Sequence, residues 1–457
     1  MFGVGLIPPF GTLTSSGMGM LGVFLGTVYG WTVIGMLWPS MLAMVAMSLI
    51  YGMQAVLAVS FGNSTIMMML MMLILMEFLN ATHVTELLAT LFLTNKMTRG
   101  RPWTLIFLFF IGAYVCSIIN PIVTIMMFMG FTMQICETVQ IELKSKFTAI
   151  MALGIALAAL LGQSTLPFYN AGISYTATYA SMFQTQIPYD KWIIFFFVVS
   201  MIFLILYTVV SRFVFRVDVS NLAAIDTKVF GERKALSGEQ KIAIASFVIF
   251  LIIVIVSSFL PASNPIGAFL TGITPFGQVI LIIAVLMVLV KPSKEELFSF
   301  RALAAKGVSW DVVFMVSVIM ALAQYLTGED TGVTQMIAML LQPLMGMPPM
   351  AFIFLALLLG IIVTNFTNNF VVALVIMPVL YSFATQVGIN PMGPILTLFV
   401  CTQIALGTPG ASFPVGICYS FSNIVNTSMM MKYAWLTVLL LAVLSLCVAL
   451  PLAIFLF

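Results

Sequence analysis

The sequence predicts an all-α polytopic membrane protein made of two inverted-topology repeats, each with a re-entrant helical hairpin and a broken transmembrane helix. Three observations predict it. Of 457 residues, 62% are hydrophobic and 7% charged, with a mean hydropathy of +1.19, whereas a soluble domain is about a quarter charged. Polar breaks interrupt apolar stretches at matching places in the two halves: Ser117-Ile118-Ile119-Asn120-Pro121 and Thr364-Asn365-Phe366-Thr367-Asn368-Asn369. The spacing also repeats. Gly62 to Asn120 is 58 residues, Asp311 to Asn369 is the same 58, and the halves are therefore offset by 249.

Taken in order, the apolar runs predict helices near 17–34, 36–52 and 64–80, then an interfacial helix at 82–95. Hairpin 102–137 follows, then a broken helix near 147–180 interrupted around Leu161–Pro167, and a helix at 192–212. Loop 213–240 is the long polar stretch. The second half has helices near 242–260, 276–291 and 309–326, hairpin 349–384, a broken helix near 393–424 interrupted around Leu406–Pro414, and a last helix at 434–457. The resulting units are a first repeat at 1–215, a linker at 216–240 and a second repeat at 241–457. Lipid offers no partner to a free backbone N–H or C=O, so the breaks survive only inside protein or against a water-filled cavity.

Basic residues set the orientation. Sixteen of the seventeen lysines and arginines fall at 96–101, 144–146, 212–241, 291–306 and 432, with Lys191 the exception. Placing those five regions in the cytoplasm leaves loops 182–190, 261–274, 327–347 and 385–391 external and free of lysine and arginine. Both termini are then external. Segment 102–137 enters and leaves on the cytoplasmic side and segment 349–384 on the outside, so the hairpins are re-entrant from opposite faces. The short N-terminus, Met1–Pro9, has no basic region and is not read as a signal peptide.

Composition also excludes several classes. The single histidine, the absence of metal spacing among the five cysteines, and the lack of a phosphate-binding loop or a nucleophile motif argue against an enzyme, an ATP-driven pump or an organic cofactor. The net charge of +3 sits in membrane-flanking loops and is no nucleic-acid signal. His83 and Glu86 read as a solvated pair, and the methionine-dense run Met67–Met72 as adaptable packing.

Paired interrupted helices are the signature of a repeat-built secondary transporter with a site at the bilayer midplane. Half-helix N-termini suit an anion and unwound carbonyls suit Na⁺. The candidates for cation binding are Asn120, Asn369, Ser117 and Thr364. Those for substrate are Thr367, Asn368, Thr124, Thr165, Thr408 and Ser412. No lysine, arginine or histidine falls in either tip or broken helix. The charge of an anionic substrate must then be met by helix dipoles and bound cations.

With these residues in view, the chain resembles the divalent anion/sodium symporter family of the ion-transporter superfamily. The likeness is carried by Phe61-Gly62-Asn63, Ser117–Met127, Trp310–Phe314, Asn365–Pro378, Pro414-Val415-Gly416 and Met430-Met431-Lys432. That resemblance implies a homodimer in the cell membrane, with a scaffold and a moving transport domain that works as an elevator. It also implies a Ser-Asn-Thr triplet at each tip, whose asparagines help bind Na⁺ and whose hydroxyls help hold a carboxylate. Here the triplets read Ile119-Asn120-Pro121 and Asn368-Asn369-Phe370: the central asparagines remain and the hydroxyls are gone. The family's usual first helix has no counterpart in the match. The leading expectation is Na⁺-coupled uptake of a small carboxylate. Open alternatives are a cation-independent exchanger, a Na⁺/H⁺ or metalloid-oxyanion carrier, and, from another class, a channel or a non-transporting receptor or subunit.

Overall fold

A computed structural model describes residues 3–98, 100–225, 230–231, 235–260, 263–289, 296–344 and 346–457. Several basic residues used for orientation (Arg99, Lys228, Arg233, Lys234, Lys291 and Lys294) lie outside the described residues. The rest form α-helices joined by short links. Among the described residues, nine helices are long and apolar enough to cross a membrane, or up to eleven if each of two bent pairs is one span.

The first half runs α1 (Ser15–Val33), α2 (Leu37–Tyr51), the short α3 (Met53–Val59), α4 (Ser64–Ala81) and α5 (Val84–Leu93). Next come α6 (Pro102–Ile119), α7 (Pro121–Val139), α8 (Lys146–Ser164), α9 (Asn170–Phe183) and α10 (Tyr189–Phe213). The second half begins with α11 (Gly238–Phe259), α12 (Pro265–Val288), the short α13 (Phe300–Gly307), α14 (Trp310–Leu326) and α15 (Val333–Leu341). It continues with α16 (Pro349–Thr364), α17 (Asn369–Gln386), α18 (Met392–Thr402), α19 (Phe413–Ser420) and α20 (Thr427–Leu444), which a π-turn joins to α21 (Leu450–Leu456). The order of elements repeats from half to half, down to a short helix ahead of α4 and another ahead of α14.

Helix starts follow local chemistry. Proline at the first turn costs nothing there, since its missing N–H would be unpaired anyway, and Pro102, Pro121, Pro265 and Pro349 all occupy it. Ser237 and Gln240 form a reciprocal capping box that opens α11 out of the linker. The Gln240 amide then reaches the Thr82 carbonyl at 3.2 Å, tying the linker to the end of α4.

The structure departs from the expected boundaries in three places. The stretch read as an external loop at 261–274 is helical from Pro265, and the break in α12 falls at Thr274 (φ 58°, ψ 167°) before Pro275. Proline disfavours helical geometry at the residue before it, so the kink is local to that pair. The loop read at 327–347 contains α15, and the last span starts at Thr427, seven residues ahead of expectation. His83 and Glu86 are both exposed, with 3.2 Å between Nδ1 and Oε1.

Both tip segments fold back on themselves. Phe109 of α6 meets Phe128 of α7 with ring centroids 4.8 Å apart, and Phe352 of α16 stacks on Phe383 of α17 at 3.8 Å. Each pair lies well away from its tip on both arms, which only a helical hairpin allows. At the centre stands α8, with 94% of its span inside the protein, against 22% for α11 and α12 at the periphery. Small residues let neighbours close on α8: a Cβ at Gly154 would lie 2.2 Å from Phe110 and 2.8 Å from Tyr207.

A clasp joins the chain's start to its second half. The Thr14 backbone N–H donates to the Thr331 carbonyl at 3.1 Å and its hydroxyl to the Asp330 carbonyl at 2.6 Å. The Thr12 hydroxyl donates to the Gly332 carbonyl at 3.0 Å. Gly332 has φ +72°, and a Cβ there would lie 1.9 Å from the Thr12 carbonyl oxygen, so a side chain is doubly excluded.

Candidate functional site

At the first tip, Asn120 is the N-cap of α7. Its Oδ1 accepts the N–H groups of Ile122 and Val123, each at 3.1 Å, which commits that oxygen to the helix start. The Thr124 hydroxyl donates to the Asn120 carbonyl one turn back at 2.8 Å. Ser117 is buried and its hydroxyl has no hydrogen-bond partner.

The broken helix α8/α9 seals this tip. Tyr169 donates to the Ile119 carbonyl at 2.9 Å, satisfying an end carbonyl of α6. Thr165 donates to the Leu161 carbonyl at 3.0 Å, so the Tyr114 hydroxyl, 2.8 Å away, donates to Thr165. Gly162 permits the close approach: a Cβ there would lie 2.6 Å from the Tyr114 carbonyl oxygen and 2.8 Å from the Ser117 Cβ.

The second tip is built differently. Asn368 takes the capping role, accepting the Phe370 N–H at 2.9 Å, and Asn369 becomes the first residue of α17. The two asparagines that spacing equates therefore stand one position apart at their helix starts, and the Asn369 amide is not a cap. Its Oδ1 lies 3.0 Å from the Thr364 hydroxyl, which lies 3.0 Å from the carbonyl oxygen of Thr402. One hydroxyl hydrogen faces two acceptors and can satisfy one of them. Thr364, Asn369 and Thr402 are all buried, so three oxygens with a single hydrogen converge away from solvent.

Thr402 closes α18, whose end carbonyls are otherwise spoken for. Phe399 O accepts from the Thr402 hydroxyl at 2.9 Å, Val400 O from the Gln403 N–H at 3.0 Å and Cys401 O from the Ile404 N–H at 3.1 Å. Asn365 then binds the tip to the α18/α19 break. Its amide donates to the Ile361 and Ile404 carbonyls at 2.7 and 3.0 Å, and its Oδ1 accepts the Gly407 N–H at 2.6 Å. Its carbonyl accepts from Thr408 at 2.5 Å.

The remaining candidates are less central. Thr367 points toward α1, 3.3 Å from the Thr32 hydroxyl, and Ser412 makes a 3.5 Å bond to the Ala405 carbonyl. The structure thus gathers Thr364, Asn368, Asn369 and Thr408 at one tip and Ser117, Asn120, Thr124 and Thr165 at the other. The two gatherings meet through Gln163 and Gln403, whose amides lie 3.2 Å apart. Gln403 continues to the Tyr175 hydroxyl at 2.6 Å. Sequence reasoning missed Thr402, Gln403, Tyr175 and Asn365 as site residues. Asn365 lies inside the quoted break and Thr402-Gln403 ends an apolar run just ahead of the second one, so both carried a signal; Tyr175 carried none. Among the described residues no group of histidine, cysteine and acidic side chains is placed to hold a metal.

Comparison with known proteins decides the family. The profile described as "Citrate transporter" matches residues 26–398. The chain belongs to the citrate transporter family. That places it among transporters rather than enzymes, and bears out the resemblance read from the hairpin asparagines. It is 28% identical over 146 residues to solute carrier family 13 member 2 of Oryctolagus cuniculus, covering 31% of this chain and 24% of the relative. It is 23% identical over 312 residues to the sodium-dependent dicarboxylate transporter SdcS of Staphylococcus saprophyticus subsp. saprophyticus, covering 66% of this chain and 59% of that one. The matched stretches span less than two thirds of either relative. Among solved structures, the fold is similar to the YdaH transporter of Alcanivorax borkumensis, with a TM-score of 0.54 at 13% identity over 88% of this chain and 89% of that one.

Proposed function

We propose that this citrate transporter family member is a secondary active carrier that couples Na⁺ entry to uptake of a small organic anion, a di- or tricarboxylate. The observation that carries the reading is the oxygen cluster of Thr364, Asn369 and the Thr402 carbonyl, a buried, donor-poor site of the kind that unwound helix ends offer Na⁺. A second cation belongs beside Ser117 and Asn120. The substrate carboxylate lies near Asn368 and Thr408, with Thr165, Ser412, Thr367 and Thr124 around it. Helix N-termini at α7 and α17 supply partial positive charge where no basic side chain stands.

The proposal includes two repeats of inverted topology whose hairpins enter the cell membrane from opposite faces, moving as an elevator within a homodimer. What supports this part is the repeated element order and the fold-back of both tips. The test is uptake of radiolabelled citrate and succinate into proteoliposomes under an inward Na⁺ gradient, with choline replacing Na⁺ in the control. Accumulation that requires the gradient is expected. Equal uptake with choline overturns the coupling, and saturable counterflow without Na⁺ identifies an exchanger instead.

A further inference from the structure

We propose that Tyr175, on α9 of the first half, is a positioning residue for the oxygen cluster at the second half's tip; the inference rests on the cation reading above. The hydrogen-bond directions leave little freedom. Thr402 spends its hydroxyl hydrogen on the Phe399 carbonyl at 2.9 Å. The Tyr175 hydroxyl, 2.7 Å from Thr402 Oγ1, must therefore be the donor in that pair. The same Tyr175 oxygen accepts from Gln403 Nε2 at 2.6 Å, and Gln403 Oε1 accepts from Gln163 Nε2 at 3.2 Å. The relay runs one way: Gln163, Gln403, Tyr175, Thr402, Phe399.

Its consequence lies in which backbone group it brackets. Tyr175 holds the side chains of both Thr402 and Gln403, the two residues flanking the peptide whose carbonyl joins Thr364 and Asn369. That peptide closes α18: its N–H donates back to the Val400 carbonyl at 3.0 Å, while its carbonyl has no partner within the helix. Tyr175, Thr402 and Gln403 are each at most 1% exposed, so water cannot substitute for the hydroxyl. Because outer partners orient metal ligands, their loss weakens cation binding without removing a ligand. The tyrosine also carries the connection between halves. Its ring stacks on Phe399 at 4.5 Å and leans on Phe370, next to Asn369, at 5.2 Å.

Those ring contacts make Tyr175→Phe a clean variant, since phenylalanine keeps the stack and loses only the hydroxyl. The experiment titrates Na⁺ against the thermal midpoint of purified full-length protein, with choline holding ionic strength constant. A ligand that binds the native state raises the midpoint according to its affinity. Tyr175→Phe is expected to raise the Na⁺ concentration for half-effect about tenfold, the low end of losses for outer-shell partners. It also leaves the buried Gln403 amide without an acceptor, so its midpoint in choline is expected to fall. Tyr175→Phe/Gln403→Leu removes that orphan donor. Recovery of the choline midpoint without recovery of Na⁺ affinity supports positioning; joint recovery overturns it, as does a Na⁺ response in Tyr175→Phe within twofold of the parent's. A parent protein that shows no Na⁺ response overturns the cation reading, and this inference with it.

Discussion

At Asn369 a single amide oxygen competes with the Thr402 carbonyl for the one hydrogen of Thr364, at 3.0 Å on each side. Asn369→Ala removes one of the three converging oxygens, and Na⁺-driven uptake in proteoliposomes is expected to fall at least about tenfold. Thr364→Val keeps the shape and deletes the shared hydroxyl, with the same direction expected. Unchanged uptake in either variant rejects the cluster as the cation site. Asn365 is the contrasting case. It makes four bonds around the second tip and presents no free oxygen, so Asn365→Ala should lower the thermal midpoint. Each buried group left unpaired costs about 1–3 kcal/mol, and a midpoint within a degree of the parent would refute the clamp. The asparagines were legible because an amide inside an apolar run marks a helix break, whether it caps the new helix as Asn120 does or turns to other groups as Asn369 does. Tyr175 was not, because a tyrosine, one of two in a helix rich in serine, threonine and alanine, looks like ordinary packing.

Among the elements, the long spans and both hairpins were legible from apolar length and polar interruption. The short helices α3, α13 and α15 were not, since 7–9 residues are too few to register against a membrane-length window. The N-terminal arm of α12 was hidden by its own break, which moved the apparent loop. Hairpin and broken helix come especially close at Gly162, where α8 passes within reach of the α6 backbone. Gly162→Ala places a methyl 2.6 Å from a carbonyl oxygen that is part of a rigid helix. Such overpacking costs about 1–3 kcal/mol, and the expected readout is a lower melting midpoint together with a weaker Na⁺ response. A parent-like melt and parent-like Na⁺ titration would show that α6 and α8 separate freely.

For the whole molecule, the distribution of basic residues makes a directional statement that accessibility can test. Four of the five cysteines are buried, and Cys447 is the exposed one, so Cys447→Ser gives a quiet background for labelling. In that background, Ser237→Cys should react with an impermeant maleimide in inside-out vesicles and not in intact cells. Thr185→Cys should show the opposite pattern. Reaction of both from the same side rejects the proposed orientation. The proposed inversion of the repeats rests on charge and spacing. How the halves interlock was not legible there, because contacts between distant segments leave no trace in local composition.

The clasp at the N-terminus gives that interlocking a timescale. Thr12 and Thr14 find their partners 320 and 316 residues further along the chain. At ~5–20 residues per second of synthesis, α1 waits on the order of 15–60 s before the ribosome has made residues 330–332. Throughout that interval Thr12 and Thr14 lack their distant partners, and only the local cap from the Gly17 N–H to the Thr14 hydroxyl is in place. Docking of this end of α1 therefore waits on translation of the second half, and a pause or truncation before residue 330 leaves the clasp open.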